Sequence, residues 1–511
     1  MAWARTSQQE MAAATPLHNG KAHQFAGRVV WPIAAVVAVA HLAAAVAGSD
    51  GYWFDEVYML AIGRDHLDWG SADQPPVAPL PAWVSDVVAP GSILILRLVP
   101  IVATVAAVVV AALIARELGG DLRAQGITAA AQATSISAAL FGHWLTPYTL
   151  EPVQWLLLLW LLVQWVRVRD DRLLLALGVV AGIAAETKFQ VMLLCAALVL
   201  AVLVCGPREV LRRPMFWAGV GIGAVLAAPT LIWQAAHGWP QLLMSEIVAE
   251  EAETLYGGRV SVTVQMLLWA GVVGTVLVLA GLWWLLRDPQ FRRYRFLAVT
   301  FLALLIVFTV TAGRPYYLAG FHGALIAVCA VGLQRRRERG LHRWTWTVWP
   351  AFAIGALVAG VMLVASVGFS NDDGGEQIAQ RTSEAYQDLS PDERDRTAVI
   401  GESYIVAAYL DGYSTTVDLP PAYSPNRAYG YFPLPDESRI DVLFAGTDPS
   451  TLAPFFTEVT QLRGPVSDEI DTAVWLLSGR TVPWHEIWPQ VQTLRVADLR
   501  VRWRRLKVRG G

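Results

Sequence analysis

Residues 49–83 read SDGYWFDEVYMLAIGRDHLDWGSADQPPVAPLPAW, and what flanks them decides what they are. An apolar run near 29–48 precedes them and another near 93–115 follows. Each is about the 20 residues that carry a helix across roughly 30 Å of hydrocarbon. The stretch is therefore a loop between two membrane spans, extending over residues 49–92. That is too long for a plain connector and too aromatic for disorder. Asp50, Asp55, Glu56, Asp65, Asp68 and Asp73 are interleaved with Tyr52, Trp53, Phe54, Tyr58, Trp69 and Trp83. An interfacial helix with an aromatic belt accounts for Trp69 and Trp83. It accounts less well for Asp55 and Glu56, adjacent carboxylates just past the end of a span. Burying them is costly without a charged partner or a reaction to serve.

Outward from this loop the same pattern recurs. Eleven segments qualify or nearly qualify as spans, near 29–48, 93–115, 126–144, 150–166, 173–187, 189–206, 215–235, 263–286, 296–312, 316–333 and 345–369. Of the 511 residues 55% are hydrophobic and 16% charged, with a mean hydropathy of +0.44, whereas soluble domains are about 25% charged. A soluble enzyme, a disordered chain and a disulfide-stapled secreted domain are excluded. A net charge of -3 gives no general attraction to nucleic acid. After Phe369 the chain turns charged and turn-rich, with short apolar runs at Thr397–Ile400 and Asp441–Phe444. The expectation is an α-helical polytopic membrane protein of about 11 transmembrane helices with a small C-terminal α/β domain. It divides into an N-terminal tail (1–28), a membrane domain (29–369) and a soluble domain (370–511).

Lys and Arg are retained on the cytoplasmic side of short loops. Alternate loops from the N-terminus carry 20 of them, from Arg5, Lys21 and Arg28 through to Arg335, Arg336, Arg337, Arg339 and Arg343. The other side, before the tail, holds 5: Arg64, Arg97, Lys188, Arg259 and Arg314. This predicts a multi-pass protein of the cell membrane with a cytoplasmic N-terminus and an extracytoplasmic C-terminal domain. The first span reads as a signal anchor. Cys195, Cys205 and Cys329 all fall in spans, which argues against disulfides and a Cys metal site.

With sidedness fixed, the ordered motifs become recognisable. Tyr52-Trp53-Phe54-Asp55-Glu56 followed by Trp69-Gly70-Ser71-Ala72-Asp73-Gln74-Pro75-Pro76 resembles the opening signature of the GT-C membrane glycosyltransferases. The branch it resembles most is the bacterial dolichyl-phosphate-mannose protein mannosyltransferase-like family, related to the lipid A aminoarabinose transferases. Leu150-Glu151-Pro152, Glu186-Thr187-Lys188-Phe189, the stretch from Ala228-Pro229-Thr230 to Gly238-Trp239-Pro240, and Arg314-Pro315-Tyr316-Tyr317-Leu318 follow in the family's order. In the tail, Gly401-Glu402 and Ser424-Pro425-Asn426 resemble shorter motifs. One departure is Gln74, where the aminoarabinose branch carries a Lys before its paired prolines.

The resemblance implies transfer of a sugar from a polyprenyl-phosphate donor to an envelope glycan, lipid or protein at the outer face of the membrane, with inversion. Inverting transfer needs a base for the acceptor's proton, and Asp55 matches the family's catalytic carboxylate. Glu56 is a candidate to support it, although neighbours on a helix point in different directions. For Glu151, metal binding or acceptor orientation stands beside simple helix capping. A divalent cation on Asp55 and Glu151 would be Mg²⁺ or Mn²⁺ rather than Zn²⁺. Lys188, Arg314 and Tyr317 are candidates for the donor phosphate, with snorkelling to the interface as the alternative for the two cations. Tyr52, Asp73, Gln74 and Trp239, from the matched motifs, are expected to contact substrate. The loop 236–262, with Glu246, Glu250, Glu251 and Glu253, reads as a solvated helix on the membrane or as a lid toward the acceptor. His237 reads as structural, and Gly219, Gly221 and Gly223 as a helix-packing stripe. A transporter or flippase of lipid-linked sugars is the rival reading, and a catalytically silent scaffold is a third. Against transport stand charges gathered at one face and the lack of a visible inverted repeat.

Overall fold

The computed structural model describes residues 23–341, 348–467 and 470–496. The expectations that fall on Arg5, Lys21, Arg343, the first residues of the eleventh span and the basic end from Arg500 onward lie outside the described residues. In chain order the helices of the first part are α1 (Gly27–Ala47), α2 (Phe54–Asp65), α3 (Pro79–Val88), α4 (Ile93–Glu117), α5 (Leu122–Ala133), α6 (Ile136–Phe141), α7 (Pro147–Val168), α8 (Arg172–Ala185), α9 (Gln190–Cys205), α10 (Pro214–Ala236), α11 (Pro240–Tyr256), α12 (Gly258–Leu268), α13 (Val272–Arg287), α14 (Arg295–Val310), α15 (Ala319–Glu338) and α16 (Val348–Ser370).

Each of the eleven expected segments has a helical counterpart, but not each is one straight span. Among the described residues, seven helices are long and apolar enough to cross a membrane: α1, α4, α7, α10, α14 and α15 with their lead-in turns, and α16 with its continuation. The fifth and sixth segments are shorter helices, α8 and α9, of 14 and 16 residues. The segment expected at 263–286 is a pair, α12 and α13, bent by 94°. The one expected at 126–144 breaks between α5 and α6. The two breaks meet: the Ile136 amide donates to the Trp269 carbonyl at 3.1 Å. Gly271 turns the second break at φ 84°, and a Cβ there would lie 2.5 Å from the Thr134 carbonyl oxygen. An apolar window does not reveal such breaks, because each freed backbone group is satisfied by the other.

α15 runs through the centre of the bundle, buried along nearly all its length among α4, α5, α7 and α13. Close approach needs small residues. A Cβ on Gly281 would lie 2.1 Å from the Leu325 carbonyl oxygen, and one on Gly219 2.3 Å from that of Leu174. Gly219 thus brings α10 against α8 as the packing stripe implied, whereas Gly221 faces open space.

The C-terminal part adds α17 (Gly374–Gln387), α18 (Pro391–Arg396), β1 (Thr397–Gly401), α19 (Tyr404–Val417), β2 (Ala422–Tyr423), β3 (Asp441–Gly446), β4 (Phe456–Arg463), β5 (Ala473–Arg480) and α20 (Trp484–Val491). The sheet order is β2-β1-β3-β5-β4, with β1 parallel to β2 and β3, and β5 antiparallel to β3 and β4. The apolar runs at 397 and 441 are the central strands β1 and β3, fully buried as strands covered on both faces must be. Alternation divides their side chains: Val399, Leu443 and Ala445 face α17 and α19, while Ala398, Ile400, Val442 and Phe444 face α20.

One of those cores does not stop at the domain. Val57, Tyr58, Leu60 and Ala61 of α2 belong to the same buried cluster as Ala407, Ala408 and Leu410 of α19. A Cβ on Gly412 would clash with Val57 Cγ2 at 2.1 Å. Arg64 reinforces the contact, donating to the Asp411 carbonyl at 2.7 Å and pairing with both oxygens of Asp86 at 3.0 and 2.7 Å. The loop between the first two spans is thus a platform under the C-terminal domain.

Candidate active site

α2 opens on an extended Trp53, and Asp55 lies in its first turn, where the helix N-terminus favours a carboxylate. Pro147 starts α7 nearby and puts Tyr148 in that helix's first turn. The Tyr148 hydroxyl donates to Asp55 Oδ2 at 3.0 Å, and Trp53 Nε1–H donates to the Tyr148 oxygen at 2.9 Å. Asp55 keeps some accessible surface yet is enclosed closely enough that burial raises its pKa to about 6; the Tyr148 hydrogen bond and the charges of Arg427 and Arg314 pull the other way. Asp73 is also raised by burial and opposed by Arg427, and it accepts from Tyr58 at 2.9 Å.

Two arginines from distant parts of the chain meet beside these carboxylates. Arg314 and Arg427 both pair with the buried Glu251 of α11. Arg427 also lies over the Tyr404 ring at 4.6 Å and Arg314 over Tyr256 at 5.5 Å. Each keeps a nitrogen without a hydrogen-bond partner, Arg314 Nη1 and Arg427 Nε. Two buried cations with spare donors form a place for an oxyanion. Glu251 corrects the reading of 236–262 as a solvated face. α11 does expose Glu246 and Glu250, but Glu251, next along, is rotated about 100° and points inward.

Lys188, between α8 and α9, completes the cation group. Its Nζ lies 3.5 Å from Glu151 Oε2 and 4.9 and 4.6 Å from the ring centroids of Tyr316 and Tyr317. Snorkelling does not describe it, since it is held inside the protein. Glu151 is therefore matched to an ammonium rather than to Asp55. Among the described residues no three His, Cys, Asp or Glu side chains gather as a metal-ligating group. With a cation already on Glu151 and a phenol on Asp55, these residues do not fit Mg²⁺ or Mn²⁺ as a shared carboxylate pair.

The long motif at 228–240 fixes the loop in front of the site. Thr230 donates to the Trp69 carbonyl at 2.6 Å and bonds Glu186, and Gln234 donates to the Ser71 carbonyl at 2.8 Å. Gly70 lies against the face of Trp233. Gln74, at the end of this loop, donates to the Ser71 hydroxyl through its amide and reaches Asp73 with its side chain at 3.5 Å.

Three expected site residues stand elsewhere. Glu56 is fully buried and bonded to Arg97 at 2.8–3.2 Å, an ion pair that ties α2 to α4. Tyr52 packs edge-on against Tyr413 at 5.3 Å, under the C-terminal domain. Trp239, at φ 59°, is exposed in the turn before α11. His237 stacks on Trp233 at 3.9 Å, in keeping with a structural role. Tyr148, Tyr404 and Arg427 are not singled out by the sequence, and Glu251 is named only as one of the four acids of the 236–262 loop. Arg427 had one signal, since it directly follows Ser424-Pro425-Asn426. Asn426 donates to the carbonyls of Thr493 and Arg495 and accepts from the Tyr404 amide, which fixes the turn that Arg427 continues at φ 48°.

Residues 73–233 match the dolichyl-phosphate-mannose-protein mannosyltransferase family. A search of curated proteins by sequence finds no match. Among solved structures, the chain is similar to ArnT from Cupriavidus metallidurans in the apo state, with 16% identity, TM-score 0.62, and 88% of this chain and 97% of that one covered. The same protein bound to undecaprenyl phosphate matches with 16% identity, TM-score 0.59 and coverage of 88% and 98%. A structure of the arabinofuranosyltransferase AftD from Mycobacteria matches at 15% identity and TM-score 0.50, over 88% of this chain and 41% of that one. With that family match over 73–233 and a fold shared along nearly the whole of ArnT, the protein is a polytopic membrane protein of the GT-C glycosyltransferase fold.

Proposed function

We propose that the protein transfers a sugar from a polyprenyl-phosphate donor to an envelope glycan, lipid or protein, with inversion, and that Asp55 is the general base. The observation that carries this reading is the pairing of a base with an oxyanion site. A carboxylate titrating near 6 stands in one cluster with Arg314, Arg427 and Lys188. A base with pKa just below neutrality is ionised at working pH yet strong enough to accept a proton. In the proposed reaction the acceptor's hydroxyl oxygen attacks the anomeric carbon while Asp55 takes its proton. The bond to the donor phosphate breaks on the opposite face, and Arg314, Arg427 and Lys188 receive the phosphate charge. Tyr317 holds Lys188 in place, and Asp73 and Gln74 are proposed to meet the sugar.

The cluster lies at the bundle end from which α7 and α15 start and at which α8, α10 and α16 finish. Arg116, Arg167 and Arg337 lie at the other end, on Glu117 and Asp121. By the positive-inside rule the basic end faces the cytoplasm, so the reaction is proposed to occur on the outer face of the cell membrane. The fold shared with a protein solved with undecaprenyl phosphate bound makes that lipid the natural probe.

The test is transfer of labelled sugar from synthetic polyprenyl-phosphate donors by the protein in proteoliposomes, beside Asp55→Asn. The native protein should transfer and the variant should lose about 10²–10⁴-fold of the rate while folding normally. Undiminished transfer by Asp55→Asn would remove Asp55 as the base. Movement of the intact lipid-linked sugar between leaflets without transfer would favour transport. The lipid-linked glycan that accumulates in a deletion strain would identify the sugar.

A further inference from the structure

Among the described residues a single hydrogen bond reaches the Asp55 carboxylate, and the direction of its proton is set by a residue that is not itself hydrogen-bonded to Asp55. Trp53 Nε1 lies 2.9 Å from the Tyr148 hydroxyl oxygen, which lies 3.0 Å from Asp55 Oδ2. An indole N–H donates and cannot accept. The Tyr148 oxygen must therefore receive on that side, and its one proton is left for Asp55. Trp53 is itself held. Its ring stacks on Trp144 with centroids 4.4 Å apart and planes 6° from parallel, and Trp144 Nε1 donates to Ser370 Oγ at 2.8 Å. The Tyr316 and Phe141 rings pack against Tyr148 at 4.7 and 4.6 Å. No hydrogen bond reaches Asp55 Oδ1 among the described residues.

We propose that Trp53 and Tyr148 are positioning residues that lock Oδ2 of Asp55 as a hydrogen-bond acceptor, so that Oδ1 is the atom that takes the acceptor's proton. The proposal rests on Asp55 being the base. As the acceptor oxygen bonds to the anomeric carbon, its proton passes to Oδ1. The bond from that carbon to the phosphate oxygen breaks, and its electron pair leaves on the phosphate. Tyr148 does not gain or lose a proton in this step. A phenol fixed as donor stabilises the carboxylate over the acid. One free to rotate can accept instead and stabilises both. Trp53 removes the second option, and with it a competing protonated resting state.

The test follows the titration of Asp55 in the full-length protein in two ways. One is the acid limb of the pH–rate profile for sugar transfer. The other is the infrared carboxyl band found by difference from Asp55→Asn, which needs no turnover. The native midpoint is expected near 6. Tyr148→Phe should raise it by about one to two pH units, since a hydrogen bond to a charged group is lost. Trp53→Phe should raise it by less, with kcat lowered more than KM is changed. The isosteric Tyr148→3-fluorotyrosine, a stronger donor, should lower it and serves where Tyr148→Phe folds poorly. A midpoint unmoved in both Tyr148 variants would overturn the proposal and leave Tyr148 as packing alone. A midpoint unmoved in Trp53→Phe would overturn the role of Trp53. If the native protein transfers no sugar, the proposed function fails while the infrared titration still decides whether the relay exists.

Discussion

Glu251 and Arg427 form an ion pair at 2.5 Å between α11 and the turn after β2. Arg314 closes on the other oxygen of the same carboxylate. One buried acid thus holds two buried cations from separate parts of the chain. Glu251→Ala would leave two largely buried guanidiniums without their shared carboxylate. Uncompensated buried charge costs about 3–5 kcal/mol. The variant should unfold at a lower temperature in detergent, and Arg427→Met in the Glu251→Ala background should recover part of the loss by removing one cation. Equal stability of the native protein and Glu251→Ala would show that the triad is not a stabilising unit.

Neighbouring carboxylates should fail in different ways. Glu56 is bound to Arg97 with neither side chain exposed, so Glu56→Gln breaks a buried pair and should reduce stability by about 3–5 kcal/mol. Asp55→Asn removes no ion pair and should leave the melting curve near native while transfer collapses. Side-by-side melting and transfer measurements on the two variants check this. A stable, inactive Glu56→Gln would return Glu56 to the chemistry.

Transfer should depend on pH in a fixed direction. The folded-state pKa of Asp55 is raised from 3.8 to about 6 by burial. The base form is present above that value and is lost as pH falls through it. The rate should drop about tenfold for each unit below 6 and level off above it. A profile flat between pH 4.5 and 7 would count against Asp55.

Stability should have its own pH signature from Asp411. Burial raises this carboxyl to about 7, although the Ala422 amide and the Tyr429 hydroxyl bond it at 2.7 and 2.6 Å. Between about pH 4 and 7 the folded chain holds a proton that the unfolded chain has released. Stability therefore falls as pH rises through this window, by up to about 1.4 kcal/mol per unit. Asp411→Asn is neutral throughout and should remove the Asp411 share of the slope, leaving that of Asp55 below about pH 6. Melting temperatures measured from pH 4.5 to 7.5 will show whether the slope lessens, most clearly between pH 6 and 7.

Much of the membrane part was legible because hydrocarbon imposes one rule on every span. Apolar length located eleven helical segments, and the basic residues divided the loops into two sets. Lys188 and Arg314 stood out because cations are scarce outside the basic loops, and Asp55 because it stands beside Glu56 just past a span, directly after Tyr52-Trp53-Phe54. The same reasoning was blind where that contrast vanishes. Arg427 lies in a tail where charge is ordinary, and Tyr148 is one aromatic among many at a helix start. Glu251 sits beside Glu250, and only the rotation of one residue along α11 separates the exposed carboxylate from the buried one. The two broken helices were equally hidden, since Trp269 and Ile136 satisfy each other's backbone across a contact that no local window contains.

The core shared by α2 and α19 bears on biogenesis. Synthesis runs from the N-terminus, so Asp55 leaves the ribosome long before Arg427 and Tyr404. Until the last quarter of the polypeptide has been made and has folded onto α2, Val57 and Leu60 lack their covering and Asp55 lacks the charge of Arg427. A nascent or truncated chain is thus expected to reach the membrane with its site unassembled, the last pieces arriving only when the C-terminal domain folds onto α2.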